Sequence, residues 1–337
     1  MTTIEDVAKE AGVSIATVSR VLNQQQTVRE STAKRVYDAI KKLRYEPNLM
    51  GRNLRKNESR VLLILTPNIE NPYYAHILSG IGDAASEKGY SALIYNSAEK
   101  PEREREAMEM LHRRRADGAI VLASNIDCHW LKEYELQYPV VQCSEFDPEV
   151  DISHVAIDNY AATCELMEYL VSLGHANIAT ISSTNDYHST RQRLDGYRDT
   201  LKNHSLPLHK GYINYAASDY SFKSGRKAAR ILLSQTPRPT AIFCISDTLA
   251  LGAVTAAREM GLRVPEDLSV IGFDDVDYTT MMHPYISTVS QPCYQLGRKA
   301  TEMLYGLIAQ PDSSPRELVL PHQLMVRETT APAPATT

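Results

Sequence analysis

GVSIATVSRVLNQ, residues 12–24, is a short apolar helical stretch with one charge, Arg20, placed directly after a glycine. Such a helix has little core of its own to bury, so its neighbours and its outer face decide what it is for. Upstream, Thr3 and Asp6 have the spacing of a capping box that opens a helix with Ile4, Val7, Ala8 and Ala11 on one face, and Gly12 supplies the backbone freedom to stop it. Ser14 offers an N-cap for the second helix, in which Val18, Val21 and Leu22 form the apolar stripe and Ile15, Ala16, Ser19 and Arg20 lie outside. A third helix over residues 30–43 buries Val36, Ile40 and Leu43 and exposes Lys34, Arg35, Lys41 and Lys42. Helix, glycine turn, helix is a DNA-reading geometry, and small residues at the N-terminal end of the second helix let it sit deep in a major groove. An ordinary three-helix domain that meets a protein partner fits the same pattern.

Charge separates this head from the rest. Residues 1–60 hold 12 Lys and Arg against 7 Asp and Glu, a net of +5, within a chain whose net charge is -5. A basic head on an acidic body suits a polyanionic partner, although a solvated basic helix has the same composition. At 337 residues the chain exceeds one ordinary core and implies two or three folding units. No apolar run reaches the roughly 18 residues of a membrane span, and the N-terminus lacks the basic and apolar regions of an export signal. Five scattered cysteines, an odd number, suit a reducing cytoplasm.

From Arg60 the texture becomes α/β, with VLLILTP, SALIYN, GAIVLAS and PVVQC alternating with amphipathic helices such as residues 101–115. NIATISS, TAIFCIS and LSVIGFDD form a second series of the same kind. Two similar halves with parallel sheets are implied, and ligands of open α/β sheets bind beyond the carboxyl ends of the strands.

Taken in order, TIEDVAKEAGVSIATVSRVLN, YEPNLMGRNLRKNES and DTLALGAVTAAREMGLRVPEDLSVIGFDD resemble the lactose/galactose repressor (LacI/GalR) family of bacterial transcription regulators over about residues 2–328. SEFDPEVDISHVAIDN and GFDDVDYTTMMHPYISTVSQPCYQLGRKA are most similar to the cytidine-type repressors of that family. The resemblance implies a helix-turn-helix head over 1–46, a hinge helix over 47–58 and a bilobed periplasmic-binding-protein-like core over 59–330, followed by a disordered tail over 331–337. One lobe would comprise about 60–158 and 289–319, the other about 159–288 and 320–328. Ile15, Ala16 and Arg20 would read bases, and Ser14, Thr17, Ser19, Asn23 and Asn48 would make phosphate or flanking contacts. Leu54 matches the family position that wedges into a minor-groove step. Two departures are Arg29, where relatives carry a helix cap, and Gly51, where they have alanine. A glycine there weakens the hinge helix by about 1 kcal/mol.

For the core, Asp274 matches the family's acceptor for sugar or nucleoside hydroxyls, and Arg193 its effector-binding arginine, whose fork holds two oxygens at once. A surface salt bridge is the plainer reading of that arginine. Tyr73, Tyr74 and Tyr220 stand at strand ends where a ring stacks on a ligand or packs in a core. Ser124, Asp158, Ser189 and Ser246 are carried over from nearby family positions.

Enzyme motifs such as GxxxxGK[ST], HExxH, paired CxxC and GxSxG do not occur, and the sequence calls for no catalytic residue, metal or cofactor. Two functions therefore compete: a repressor that binds a pseudo-palindromic double-stranded operator under control of a nucleoside or sugar, and a free sugar- or nucleoside-binding protein of the transport type. The basic head favours the first. A homodimer follows from that reading, because one head makes too few contacts for specific binding. By the resemblance, helices near residues 74–89 and 101–115 form its surface, and APAPATT is too short for a tetramerising bundle.

Overall fold

The computed structural model describes residues 2–22, 28–45, 58–311 and 313–334. Asn23, Asn48, Gly51 and Leu54 lie outside these residues, as does nearly all of the expected hinge. The chain divides into two units, Met1–Ser59 and Arg60–Thr337.

In the first unit, helices α1 (Ile4–Ala11), α2 (Ile15–Leu22) and α3 (Glu30–Leu43) enclose a core of Val7, Ala8, Ala11, Val18, Val21, Val36 and Ala39. The capping box at Thr3 and Asp6 is formed, and Gly12 ends α1 at a φ of 62°, a conformation a side chain would strain. Arg29 precedes α3 without a side-chain capping bond.

The second unit has two parallel sheets of the same winding. In one, β1 (Val61–Thr66), β2 (Ser91–Asn96), β3 (Gly118–Val121), β4 (Val140–Cys143), β5 (His154–Ile157) and β11 (Glu317–Leu320) lie in the order β11-β5-β4-β3-β1-β2. In the other, β6 (Ile178–Ser183), β7 (Ile213–Ala216), β8 (Ala241–Cys244) and β9 (Ser269–Ile271) lie in the order β7-β6-β8-β9. Each sheet thus has its topological switch between its first and third strands, where a crevice opens at the carboxyl ends.

Strand β1 shows why the first sheet is buried on both faces. Leu62 and Ile64 pack with Ile77 and Ile81 of α4 (Pro72–Glu87) and with Leu296 and Ala300 of α11 (Cys293–Ala309). Leu63 and Leu65 turn the other way, onto Met108 and Leu111 of α5 (Pro101–His112) and Leu131 of α6 (Cys128–Glu135). The two-residue period of a strand sends alternate side chains to opposite layers, so a continuous apolar run is required. The second sheet is covered by α7 (Asn159–Ser172), α8 (His188–Asn203), α9 (Phe222–Leu233) and α10 (Asp247–Glu259) around one core that includes Phe243, Tyr197 and Leu166. The antiparallel pair β10 (Thr288–Ser290) and β12 (Gln323–Met325) packs through Val289 and Leu324 onto the core of the second sheet.

One expectation needs correction. The tail is not disordered from residue 331: Ala331 accepts from His175 Nε2 at 3.0 Å and donates to Ser269 Oγ at 3.1 Å, and Ala333 donates to the Leu173 carbonyl at 2.8 Å. A buried histidine and serine with unspent donors and acceptors hold a strap that composition alone reads as loose.

Candidate functional site

Seven of the residues expected to meet a ligand, Tyr73, Tyr74, Ser189, Arg193, Tyr220, Ser246 and Asp274, converge at the carboxyl ends of both sheets. Asn71, a side-chain N-cap, starts α4 so that Tyr73 and Tyr74 stand on its first turn, both buried with rings 5.3 Å apart. Ser144 and Glu145 follow β4. From the other sheet come Ser189 and Arg193 on the opening turns of α8, Tyr220 after β7, Ser246 after β8 and Asp274 after β9. All of these line one small chamber.

Arg193 is its buried cation. Nε donates to Asn159 Oδ1 at 2.9 Å, Nη1 donates to the Ile245 carbonyl at 2.6 Å, and the guanidinium carbon lies 3.7 Å from the centroid of the Phe273 ring. Nη1 is also 3.6 Å from Asp274 Oδ1, with each side chain 8% exposed. Burial raises the Asp274 carboxyl to about 7, against the pull of Arg193 and of the Gln291 hydrogen bond. Asp274 and Asp275 both have positive φ, 114° and 60°, strained values for residues with a side chain and typical of functional corners. Their neighbours part them: Asp275 turns to Arg327 at 2.6 Å, whereas Asp274 stays in the chamber.

A polar chain then crosses to the first sheet. Gln291 donates to Asp274 Oδ1 at 2.8 Å and accepts from the Tyr73 hydroxyl at 3.0 Å, which lies 2.7 Å from Ser144 Oγ. A second link joins the lobes where Glu145 accepts from the amide and the hydroxyl of Ser189, at the positive end of α8. Burial raises the Glu145 carboxyl, and the two Ser189 bonds and Arg193 oppose the rise. The Tyr220 hydroxyl accepts from Asn185 Nδ2 at 2.9 Å and lies 3.0 Å from the Thr190 hydroxyl, and burial pushes it up to about 12. The set offers a forked cation, a carboxylate and hydroxyls, which suits a neutral polyhydroxylated ligand.

Three expected residues have other partners. Asp158 is exposed and caps α7 by accepting from Ala161 N at 2.8 Å, and it lines neither chamber of the cleft. Ser124 donates to the buried Glu104 at 2.8 Å while lining a second, larger chamber. Ser246 accepts from Leu249 N at 3.4 Å as the cap of α10. Sequence reasoning missed Asn159, Gln291, Ser144, Glu145 and Tyr187. Asn159 adjoins Asp158 in the quoted IDN, and Gln291 sits in the quoted STVSQPC, so their positions were in view but their polarity went unused.

In the first unit, Ile15, Ala16 and Arg20 are exposed along one side of α2 and Ser19 is partly buried. Ser14 Oγ accepts from Thr17 N at 3.2 Å and lies 2.9 Å from its hydroxyl, so the two fix the start of the helix. Backbone amides and hydroxyls at such a start are the groups that meet phosphates.

Residues 3–48 match the model of bacterial regulatory proteins of the lacI family. Residues 59–328 match that of periplasmic binding proteins and the sugar binding domain of the LacI family. The chain belongs to the LacI family. This LacI-family regulator is 35% identical over 333 residues to the HTH-type transcriptional repressor CytR of Escherichia coli (strain K12), covering 98% of this chain and 97% of that one. It is 34% identical to catabolite control protein A of Priestia megaterium, over 97% of this chain and 99% of the other. Among solved structures, a lac repressor dimer bound to operator and the anti-inducer ONPF superposes with a TM-score of 0.89 at 28% identity, covering 98% of this chain and 99% of that one. The regulator is a DNA-binding transcriptional repressor by family, and its relatives are regulators rather than enzymes.

Proposed function

We propose that this LacI-family repressor acts as a homodimer on a pseudo-palindromic operator and releases or tightens it as a nucleoside binds between the lobes. The observation that carries the reading is the chamber in which Arg193 and Asp274 of one lobe are tied through Gln291 and Tyr73 to the other. A ligand that engages Asp274 acts on groups of both lobes at once, and differential affinity for two lobe arrangements is what control requires. Base reading falls to Ile15, Ala16 and Arg20, with Ser14, Thr17, Ser19, Asn23 and Asn48 on the flanks and Leu54 as the minor-groove wedge.

Dimerisation is supported by the edge of the first sheet. Strand β2 lies at that edge, and Leu93 and Ile94 on it are 39% and 43% exposed. An exposed apolar edge strand invites pairing unless something covers it, and a second copy would do so beside α4 and α5. The repressor works in the cytoplasm, on the nucleoid. No helix among the described residues is long and apolar enough to cross a membrane.

Titration calorimetry with cytidine, adenosine, ribose and galactose, together with operator binding by fluorescence anisotropy, tests the proposal. Heat from a nucleoside and a changed operator affinity in its presence are expected. Heat from sugars alone would move the effector class, and no binding to any duplex in a randomised pool at low salt would overturn the whole reading.

A further inference from the structure

Beside the Arg193 chamber lies a second one that the mechanism above leaves without an occupant. The inner chamber encloses about 20 Å³, room for about one water. The outer one encloses about 260 Å³ and is lined by Ser124, Gln142, Phe146, Tyr187, His188 and Glu145, the last of which, with Tyr187, also lines the inner one. That volume is near the lower end of the roughly 300–1,000 Å³ typical of small-molecule sites, a size for a ligand of one or two rings.

Two of its lining side chains carry buried atoms with no hydrogen-bond partner, Gln142 Oε1 and the Tyr187 hydroxyl. Gln142 is 5% exposed and Tyr187 8%, so solvent does not satisfy them. A buried polar atom without a partner forfeits its hydration, so two such atoms on lining residues of one cavity mark a place where a polar ligand would gain hydrogen bonds. Gln142 stands on β4, a rigid element, and its register is fixed by a bond from its amide to the Ser153 carbonyl at 2.9 Å. Its carboxamide presents a donor and an acceptor side by side, the pattern that pairs with a nucleobase edge through two hydrogen bonds at once. The wall next to it is aromatic: Phe146 stacks on His154 at 4.0 Å and meets His188 edge-on at 4.8 Å.

We infer that the outer chamber receives a nucleobase and that Gln142, seconded by the Tyr187 hydroxyl, is the residue that selects it by its hydrogen-bonding edge. The inference rests on the nucleoside reading above and adds where the base goes and what reads it. The hydroxylated half of the ligand is then directed past Glu145 toward the inner chamber, whose volume admits a single hydroxyl beside Arg193 and Asp274.

Calorimetry on the full chain with cytidine, ribose and cellobiose as probes tests this, using Gln142→Met, which keeps the volume and removes both polar atoms, and Tyr187→Phe, which removes one hydroxyl. The expected result is cytidine binding by the parent chain, weakened at least tenfold in Gln142→Met with the thermal midpoint kept, and weakened to a smaller degree in Tyr187→Phe. Unweakened cytidine binding in a folded Gln142→Met overturns the inference and leaves the nucleoside reading standing. If Gln142→Met does not fold, unchanged cytidine affinity in Tyr187→Phe overturns it instead. Heat from ribose or cellobiose but none from cytidine in the parent chain removes both.

Discussion

Arg193 Nη1 stands 3.6 Å from Asp274 Oδ1, and both groups are almost wholly buried. Two charges so placed are stable only with further partners, and Arg193 has them in Asn159, Ile245 and the Phe273 ring. Asp274 has fewer, which is why burial dominates its titration. Its carboxyl has a pKa of about 7 in the folded chain and about 3.9 unfolded, so between those values the folded state holds more protons. The stability that this group contributes is fully present below about pH 4 and is lost as pH rises through about 7. Thermal melts should show the midpoint falling over that window, and Asp274→Asn should flatten the slope. Asp247 and Glu145, raised in the same direction by burial, leave a remainder. An identical slope in the variant would assign the effect elsewhere.

Effector affinity should run the opposite way. A ligand hydroxyl donates to the carboxylate, so binding strengthens as pH rises through about 7, and Asp274→Ala should abolish the response while operator binding in the absence of effector persists. Calorimetry at pH 6 and pH 8 measures the first expectation, and anisotropy with and without effector the second.

Arg20 is exposed on α2 beside Ile15 and Ala16. Removing a base-reading side chain costs about 1–3 kcal/mol of specific DNA binding, so Arg20→Ala, which removes one from each head of the dimer, should cost operator binding about 2–6 kcal/mol, at least about thirtyfold, and relax specificity at one base position in each half-site. Effector affinity should be unchanged. A variant that lost both would have a folding defect and say nothing of base reading.

Much of this architecture was legible because local chemistry and packing agree. The Thr3–Asp6 box, the Gly12 stop and the Val18–Val21 stripe are all local, and each is formed. The run Leu62–Leu65 reads as a strand covered on both faces, and it is one. The cleft was legible only in part, since Tyr73 and Gln291 meet across 218 positions of chain and periodicity carries no sign of that. Asp158 shows a second limit. A carboxylate just before a helix can cap it or face a ligand, and its spacing to Ala161 N serves the cap. Tyr187 and Gln142 were silent for a third reason: a tyrosine after a strand and a glutamine within one look like packing residues until their unpaired atoms are seen.

In the segment outside the described residues, Gly51 still makes a testable claim. If residues 47–58 form the hinge helix that the family resemblance implies, an alanine at position 51 favours it by about 1 kcal/mol per subunit, because glycine loses more backbone entropy on ordering. Gly51→Ala should tighten operator binding up to about thirtyfold in the dimer, by two such increments at about 1.4 kcal/mol per tenfold. Fluorescence titration with unchanged or weaker affinity would refute a hinge that orders on DNA.

The first lobe depends on a closer contact than any of these. Gly80 of α4 and Gly297 of α11 let two helices touch backbone to backbone: a Cβ at Gly297 would come 2.1 Å from the Ile77 carbonyl oxygen, and one at Gly80 equally near that of Tyr294. Neither obstacle is a side chain that can swing away, so relief requires the helices to separate, and α11 also covers β3, β4 and β5. Overpacking of this kind costs about 1–3 kcal/mol. Gly297→Ala should therefore lower the thermal midpoint, with Gly80→Ala similar and the double variant less than additive, since one separation relieves both clashes. Gly306, on the same helix with nothing within 4 Å of an added Cβ, is the control. Alanine there should leave stability unchanged or raise it, by up to about 1 kcal/mol of helix propensity. A loss at position 306 as large as at 297 would mean that the helix itself, and not its contact with α4, is what the substitutions disturb.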